Sequence, residues 1–130
     1  MHRGGASKCK LYFVAVVIMN PPAADRTAII YLIQGPSPGL RYIGCTSQSI
    51  QLRFTKHKSR AKKADYRNAL LYKAMQEHGV ENFTIEALKT VPYATRDDEE
   101  ANAILDRGTI GPNGLNLRLP NRPVPLLLGP

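Results

Sequence analysis

A hairpin signal over residues 28–44 constrains the fold of this chain most strongly. Residues 28–33 form a continuous apolar run that fits a buried strand. The next segment, Gly35-Pro36-Ser37-Pro38-Gly39, is dense in turn-forming residues, and a second strand-like segment over 40–44 follows it. Antiparallel pairing across this turn would bring Tyr31 and Tyr42 close to each other.

The periodicity of the remaining chain predicts a small α+β domain. Ser47 or Ser49 is placed to cap a helix that runs to about Lys63. Three further segments follow: helices over 68–78 and 96–107, each followed by glycine, and a strand over 82–90. We therefore expect a small three-stranded antiparallel sheet flanked by helices, in the order ββαβα. A chain of 130 residues has room for one such domain.

The chain carries a formal net charge of +8, which favours an anionic partner. Nucleic acid is the first candidate, a membrane surface is the second, and a basic protein without a polyanionic partner is the third. The positive charge is concentrated in the first predicted helix and just after it, at Arg53, Lys56, Lys58, Arg60, Lys62 and Lys63. Such a cluster binds phosphates whether or not it also cleaves them.

One stripe of the first predicted helix carries Arg53, Lys56, His57 and Arg60, because these residues are spaced at i, i+3, i+4 and i+7. An apolar stripe made by Ile50, Phe54 and Ala61 adjoins it. We expect His57 to lie at the boundary, supported by the core and in reach of solvent. Its reference pKa of ~6.5 would then allow both protonation states near neutrality.

The first 26 residues admit several interpretations. Basic residues precede an apolar run over 11–19, which imitates a signal peptide, although prolines occupy the place of the small residues of a cleavage site. The run is too short to span a bilayer. An added strand and a translation start at Met19 are the other interpretations. We treat 1–26 as a dispensable leader or extra segment, 27–118 as the domain and 119–130 as a Pro-rich tail.

Two cysteines, Cys9 and Cys45, lie far apart in a chain that has no disulfide-dense framework. This spacing favours a reduced, intracellular setting. We expect Cys45 to be a packing residue and not a nucleophile.

Several short motifs, in their order and spacing, resemble the GIY-YIG endonuclease family. Tyr42-Ile43-Gly44 matches the second half of the family name, and Ile29-Ile30-Tyr31 matches the first half except that isoleucine replaces glycine. Arg53 and His57 follow at the family's spacing. Further matches are residues 71–75, residues 78–83, Glu100 with Ile104, and Gly114-Leu115-Asn116. The resemblance covers about residues 27–118, and the fold of the family is also a small α+β domain.

The resemblance implies a nuclease site in which water attacks a phosphodiester directly. One tyrosine would be the general base and the other would position the phosphate, and we favour Tyr31 as the base. A phenol with a pKa of ~10 is a poor base at pH 7, and the field of Arg53 and Lys56 would lower that pKa. Arg53 would stabilise charge on the scissile phosphate, and His57 would assist the base or relay a proton.

Glu100 is the expected ligand of a single Mg²⁺ (or Mn²⁺), with water and substrate phosphate completing the coordination shell. It belongs to the run Asp97-Asp98-Glu99-Glu100, where acids also occur because they interact favourably with a helix N-terminus. Glu99 is the alternative ligand. The metal would stabilise the leaving oxygen.

Three further positions complete the expected site. Asn116 would hydrogen-bond near the catalytic groups, and the alternative is a turn asparagine after Gly114. Ile29, in place of the family's glycine, would narrow the cleft or shift the strand. Ala103 stands where the family has an aromatic residue, which would weaken the packing of the last helix.

We therefore predict a metal-dependent endonuclease that cleaves double-stranded or branched DNA in the cytoplasm of a bacterium or phage-infected host. Backbone phosphates would contact the basic residues Lys56, Lys58, Arg60, Lys62 and Lys63. We expect weak intrinsic sequence preference, because only a short tail follows Asn116, and a protein partner or oligomer would supply specificity. The alternatives are a catalytically inactive nucleic-acid-binding module of the same fold, favoured by Ile29 and Ala103, and a membrane-surface protein that uses residues 11–19.

Overall fold

The computed structural model describes residues 26–63 and 68–120. Helices and strands are numbered here in chain order. The strands are β1 (Thr27–Gln34), β2 (Arg41–Thr46) and β3 (Thr84–Pro92). The helices are α1 (Ile50–Lys62), α2 (Ala69–His78) and α3 (Arg96–Arg107), and short 3₁₀ turns occupy Val80–Asn82 and Tyr93–Thr95.

The central strand is β1, which pairs antiparallel with both neighbours in a sheet of order β2-β1-β3. Successive side chains of a strand face opposite sides of the sheet. Ile30 and Leu32 therefore pack in one cluster with residues of α3, whereas Tyr31 and Ile33 pack in another with residues of α1 and α2. Because both faces are covered, β1 is a continuous apolar run and does not alternate with polar residues.

The predicted α+β class, with a three-stranded antiparallel sheet flanked by helices, is confirmed. The chain order is ββααβα. The helices predicted to end near Lys63 and to cover 68–78 are both present between β2 and β3, so the predicted order ββαβα was one helix short. Ser49, not Ser47, caps α1, and its hydroxyl accepts a hydrogen bond from the Leu52 backbone N–H at 3.1 Å. Gly79 and Gly108 follow the last residues of α2 and α3 with positive φ angles, as the sequence predicted.

Ala103 and Ile29, the two departures from the family pattern, lie at different places in the domain. Ala103 borders a cavity of about 290 Å³ between α3 and the sheet, which Ile30 and Leu88 also line. Ile29 is half-buried and pairs with Thr46 across the sheet.

The predictions for the leader and for most of the Pro-rich tail fall on residues 1–25 and 121–130, which lie outside the described residues. Cys9 and the apolar run over 11–19 are among them. Within the described ranges, no helix is long and apolar enough to cross a membrane.

Gly44 is placed opposite Tyr31 in the β1–β2 pair. A methyl group added to its Cα would collide with the hydroxyl and ring of Tyr31. Glycine at this position therefore lets the phenol lie flat against the neighbouring strand. This close approach gives a physical reason for the glycine of the Tyr42-Ile43-Gly44 motif.

We expect Gly44→Ala to destabilise the domain by on the order of 1–3 kcal/mol, because the added methyl overpacks against Tyr31. Thermal unfolding followed by circular dichroism measures this change. Gly39→Ala is the matched control, since a Cβ there would meet nothing within 4 Å. Equal stability of the two variants would contradict the close packing of Tyr31 on Gly44.

Candidate active site

Tyr31 and Tyr42 lie on the same face of the β1–β2 hairpin. Tyr31 pairs with Gly44 and Tyr42 pairs with Ile33, so the two tyrosines are diagonal neighbours. Their ring centroids are 6.5 Å apart. The predicted proximity of the two phenols is confirmed, and the antiparallel hairpin is its cause.

His57 is fully buried between two phenols. Its Nε2 lies 2.8 Å from Tyr31 Oη, and its Nδ1 lies 2.9 Å from Tyr72 Oη. The prediction that His57 would reach solvent at a stripe boundary is wrong, because α2 packs over this face of α1 and places Tyr72 on the outer side of the imidazole. Both ring nitrogens therefore have partners inside the protein.

Burial, together with the smaller effects of the positive charges of Arg53 and Arg60, lowers the pKa of His57 to about 3. The imidazole is therefore neutral at pH 7. The expectation that both protonation states would be populated near neutrality is wrong for the folded domain. A neutral imidazole still acts as one hydrogen-bond donor and one acceptor.

Arg53 reaches the same phenol from α1. Its Nε donates to Tyr31 Oη at 3.4 Å. Burial nevertheless raises the pKa of Tyr31 to about 12, and Arg53 offsets only part of that rise. Arg53 thus lowers this pKa as expected, but burial outweighs it. Lys56 is not among the causes of the shift, and its Nζ instead donates to Gln48 Oε1 at 3.2 Å.

Tyr42 has a different environment from Tyr31. Its hydroxyl donates to Asn68 Oδ1 at 3.4 Å. Burial, and then the neighbouring Tyr31, raise the pKa of Tyr42 well above its ordinary value. Of the two phenols, Tyr31 has the lower pKa and a direct cationic partner, so it is the better candidate for the base.

Glu100 projects from α3 at the border of two cavities. One, of about 250 Å³, is also lined by Tyr42, Asn68, Asn116 and Arg118. The other, of about 190 Å³, is also lined by Cys45, Thr46, Arg96 and Asp97. Burial and the charge of Asp97 raise the pKa of Glu100 to about 7, while Arg53 opposes the rise. The nearby positive charge of Arg53 therefore does not compensate for the burial of the Glu100 carboxylate.

The donor set fits a magnesium ion better than a transition metal. No group of three or more His, Cys, Asp or Glu side chains converges within residues 26–63 and 68–120. Mg²⁺ is usually bound through one or two carboxylates with several waters, which a single Glu100 beside a cavity satisfies. Glu99, the alternative ligand, instead pairs with Lys89 at 2.6 Å on the surface.

Asn116 fastens the C-terminal segment to β2 beside the site. Its Oδ1 accepts from Ile43 N at 2.9 Å and its Nδ2 donates to Ile43 O at 2.9 Å. Thr109 Oγ1 donates to the same Oδ1 at 2.7 Å. Asn116 thus holds the strand residue between Tyr42 and Gly44, so its hydrogen bonds position the site through the backbone.

The basic residues expected to contact DNA lie along α1 and at its C-terminal end. Lys58 Nζ lies 4.5 Å from the centroid of the Phe54 ring, and Lys62 and Lys63 are exposed. Arg60 belongs to the same set and is near enough to lower the pKa of His57 through its charge, so the basic surface of α1 reaches the cluster of Tyr31, Arg53 and His57.

Two polar residues of the site were missed by sequence reasoning. Tyr72 contacts His57, and Asn68 connects Tyr72 to Tyr42 through a hydrogen bond from its Nδ2 to Tyr72 Oη at 3.3 Å. Asn68 precedes α2 but its side chain does not cap that helix. The sequence did offer one indication of this contact. Tyr72 lies on the apolar stripe of α2, and a buried tyrosine hydroxyl usually has a hydrogen-bond partner.

Solved structures share this backbone arrangement. The catalytic domain of the homing endonuclease I-TevI superposes with a TM-score of 0.61 over 69% of this chain and 97% of that chain, at 21% identity. A mutant of the catalytic domain of the intron endonuclease I-TevI gives a TM-score of 0.62 over 70% and 93%, at 20% identity. The domain has the GIY-YIG-like nuclease fold.

A viral protein is similar in sequence to this GIY-YIG-like domain. It is protein 146R of Invertebrate iridescent virus 6, named for an MSV199 domain, and it is 37% identical over 99 residues. The match covers 74% of this chain, and the chain spans 39% of the length of that relative. No family model matches the chain.

The raised pKa of Glu100 has a consequence for stability. Its folded pKa of about 7 lies above the ordinary value of 4.5, so the folded domain holds a proton that the unfolded chain releases between these values. The contribution of Glu100 to stability is therefore present at low pH and is lost as the pH rises through about 7.

We expect Glu100→Gln to stabilise the metal-free domain at pH 8 by on the order of 2 kcal/mol, because glutamine cannot ionise. The difference in free energy of unfolding between Glu100→Gln and wild type should be smaller at about pH 5, where the carboxyl is protonated in the folded state. Urea unfolding with EDTA at both pH values measures it, with the exposed Glu86→Gln as control. A gap independent of pH would contradict the raised pKa.

Proposed function

We propose that this domain is a metal-dependent endonuclease that hydrolyses DNA phosphodiester bonds by direct attack of water. The observation that carries the proposal is the position of Tyr31 Oη, within hydrogen-bond distance of both His57 Nε2 and Arg53 Nε. Glu100 is near enough to raise the pKa of both site tyrosines through its charge. These observations support the proposal because a candidate base, a cation and a carboxylate proposed to hold a metal lie close together.

Tyr31 is the proposed general base. As a phenolate its oxygen would take a proton from the attacking water. With a pKa of about 12, the phenolate fraction is small at neutral pH and rises tenfold for each pH unit. Arg53, which keeps its charge at all working pH values, favours the phenolate and would also stabilise charge on the scissile phosphate.

The remaining catalytic groups have supporting roles in this proposal. Tyr42, at the 250 Å³ cavity beside Glu100, would position the phosphate. Glu100 would hold Mg²⁺ or Mn²⁺, and that ion, when bound, supplies Lewis-acid stabilisation of the leaving oxygen. Asn116 keeps the backbone of β2 in place next to Tyr42.

Duplex or branched DNA is the proposed substrate, because a net charge of +8 and the basic surface of α1 favour a polyanion. Lysine and arginine contacts to phosphate carry no sequence information directly. We therefore propose weak intrinsic sequence preference, with a protein partner or a second copy of the chain supplying specificity.

The competing function is a DNA-binding module of the same fold that does not cleave. The raised pKa of Tyr31 favours it, because little phenolate is present near neutral pH. The branched Ile29 in the position of the family glycine is a second observation on that side.

Conversion of supercoiled plasmid to nicked and linear forms tests the proposal. We expect cleavage with Mg²⁺, none with EDTA, and a loss of about 10²–10³-fold in rate for Arg53→Ala, since removing one stabiliser of transition-state charge costs that much. Glu100→Gln should be at least as damaging. The controls are Arg107→Ala and Glu86→Gln, which change the same residue types at exposed positions.

Binding separates the two functions. We expect wild-type protein to bind plasmid DNA with an affinity that falls as salt rises. Lys62→Ala should reduce the slope of log affinity against log salt by about 0.9, because the variant neutralises one phosphate fewer. Fluorescence anisotropy with a labelled duplex gives the slope. Folded protein that binds in this way but does not cleave at any pH up to about 9 would reject the endonuclease and support the binding module.

A further inference from the structure

A continuous line of hydrogen bonds connects the two site tyrosines through the interior. Tyr42 Oη lies 3.4 Å from Asn68 Oδ1, and Asn68 Nδ2 lies 3.3 Å from Tyr72 Oη. Tyr72 Oη lies 2.9 Å from His57 Nδ1, and His57 Nε2 lies 2.8 Å from Tyr31 Oη. Asn68, Tyr72 and His57 each form a hydrogen bond with the residue on either side in this line. The choice of donor and acceptor in one hydrogen bond therefore restricts the choice in the next.

The amide of Asn68 gives the line a direction, because its two ends have different chemistry. Its Oδ1 only accepts, here from Tyr42, and its Nδ2 only donates, here to Tyr72. Tyr72 Oη, having accepted from Asn68, has its own hydrogen left for the imidazole. His57 Nδ1 is then the acceptor, and the ring hydrogen of the neutral imidazole lies on Nε2.

We propose that Asn68 and Tyr72 are positioning residues that fix His57 in the tautomer with hydrogen on Nε2, so that His57 donates to Tyr31 Oη and does not accept its proton. For catalysis, this inference rests on the proposed function, since it describes how the base is prepared. The tautomer of His57 in the resting protein is a matter of hydrogen positions alone and can be measured without cleavage.

The consequence for Tyr31 is that its oxygen accepts two N–H groups, one from His57 and one from Arg53. Hydrogen bonds donated to a charged oxygen favour its ionised form. In the other tautomer, with hydrogen on Nδ1, the Tyr31 hydroxyl would donate to His57 Nε2. Ionisation of Tyr31 along that hydrogen bond would then require the imidazole to accept the proton. The low pKa of His57 makes that gain unfavourable.

Asn68→Asp is a switch variant of nearly the same shape. A carboxylate has no donor, so it can only accept from Tyr42 and from Tyr72. Tyr72 then has no hydrogen left for His57 Nδ1, and its oxygen accepts one from that nitrogen instead. The imidazole hydrogen moves from Nε2 to Nδ1, and the direction of the bonds between Asn68 and Tyr31 reverses.

Nitrogen-15 NMR of the imidazole rings, on full-length protein labelled at histidine, tests the assignment. The spectrum of His57→Gln identifies the signals of His57. We expect wild type to carry hydrogen on Nε2, Asn68→Asp to carry it on Nδ1, and Tyr72→Phe to lose the single preference. A wild-type tautomer with hydrogen on Nδ1 would overturn the proposal. So would an unchanged tautomer in both folded variants, and Tyr72→Phe decides alone if Asn68→Asp does not fold.

Plasmid cleavage supplies the second readout. We expect Tyr72→Phe to lower kcat by about 10- to 100-fold with KM unchanged, by analogy with the loss of a hydrogen-bond partner that orients a metal-bound histidine. Tyr72 is 1% exposed, which leaves almost no surface for contact with DNA, so a change confined to KM would overturn its positioning role. Failure of wild type to cleave would reject the proposed function, whereas the tautomer measurement does not depend on cleavage.

Discussion

The burial of a neutral histidine between two phenols is the interaction on which the rest of the site depends. His57 on α1 contacts Tyr31 on β1 and Tyr72 on α2, so one imidazole joins three elements of the fold. A buried nitrogen left without a partner costs about 1–3 kcal/mol, which penalises any shift of α2 that removes Tyr72. The packing of the core and the geometry of the proposed base are therefore set by the same contacts.

A second set of contacts fixes the opposite side of the site. Asn116 holds the Ile43 backbone, next to Tyr42, which lines the 250 Å³ cavity together with Glu100. Glu100 and Tyr31 both have raised pKa values because burial disfavours their charged forms. Only the Glu100 shift lowers stability near neutral pH, because Tyr31 is uncharged there in both the folded and the unfolded chain. Perturbed pKa values of this kind cluster at functional sites.

The sequence predicted those features that depend on neighbouring strands and on helix periodicity. The proximity of Tyr31 and Tyr42 follows from an antiparallel hairpin. The α+β class follows from strand-like segments that are interspersed with segments of helical periodicity. The depth of His57 could not be predicted from its helical stripe, because Tyr72 covers it from a different helix. The pKa of Tyr31 was expected to fall on account of Arg53, but burial, which depends on the whole fold, outweighs that single charge.

The most direct test of this account is an NMR titration of His57 in the folded protein. With a pKa of about 3, its ring signals should not change from pH 8 down to the onset of acid unfolding, because the imidazole stays neutral while the domain is folded. Protonation would then accompany unfolding and would not precede it. A titration of His57 near the ordinary value of ~6.5 in folded protein would show an accessible imidazole and would contradict the buried contacts with Tyr31 and Tyr72.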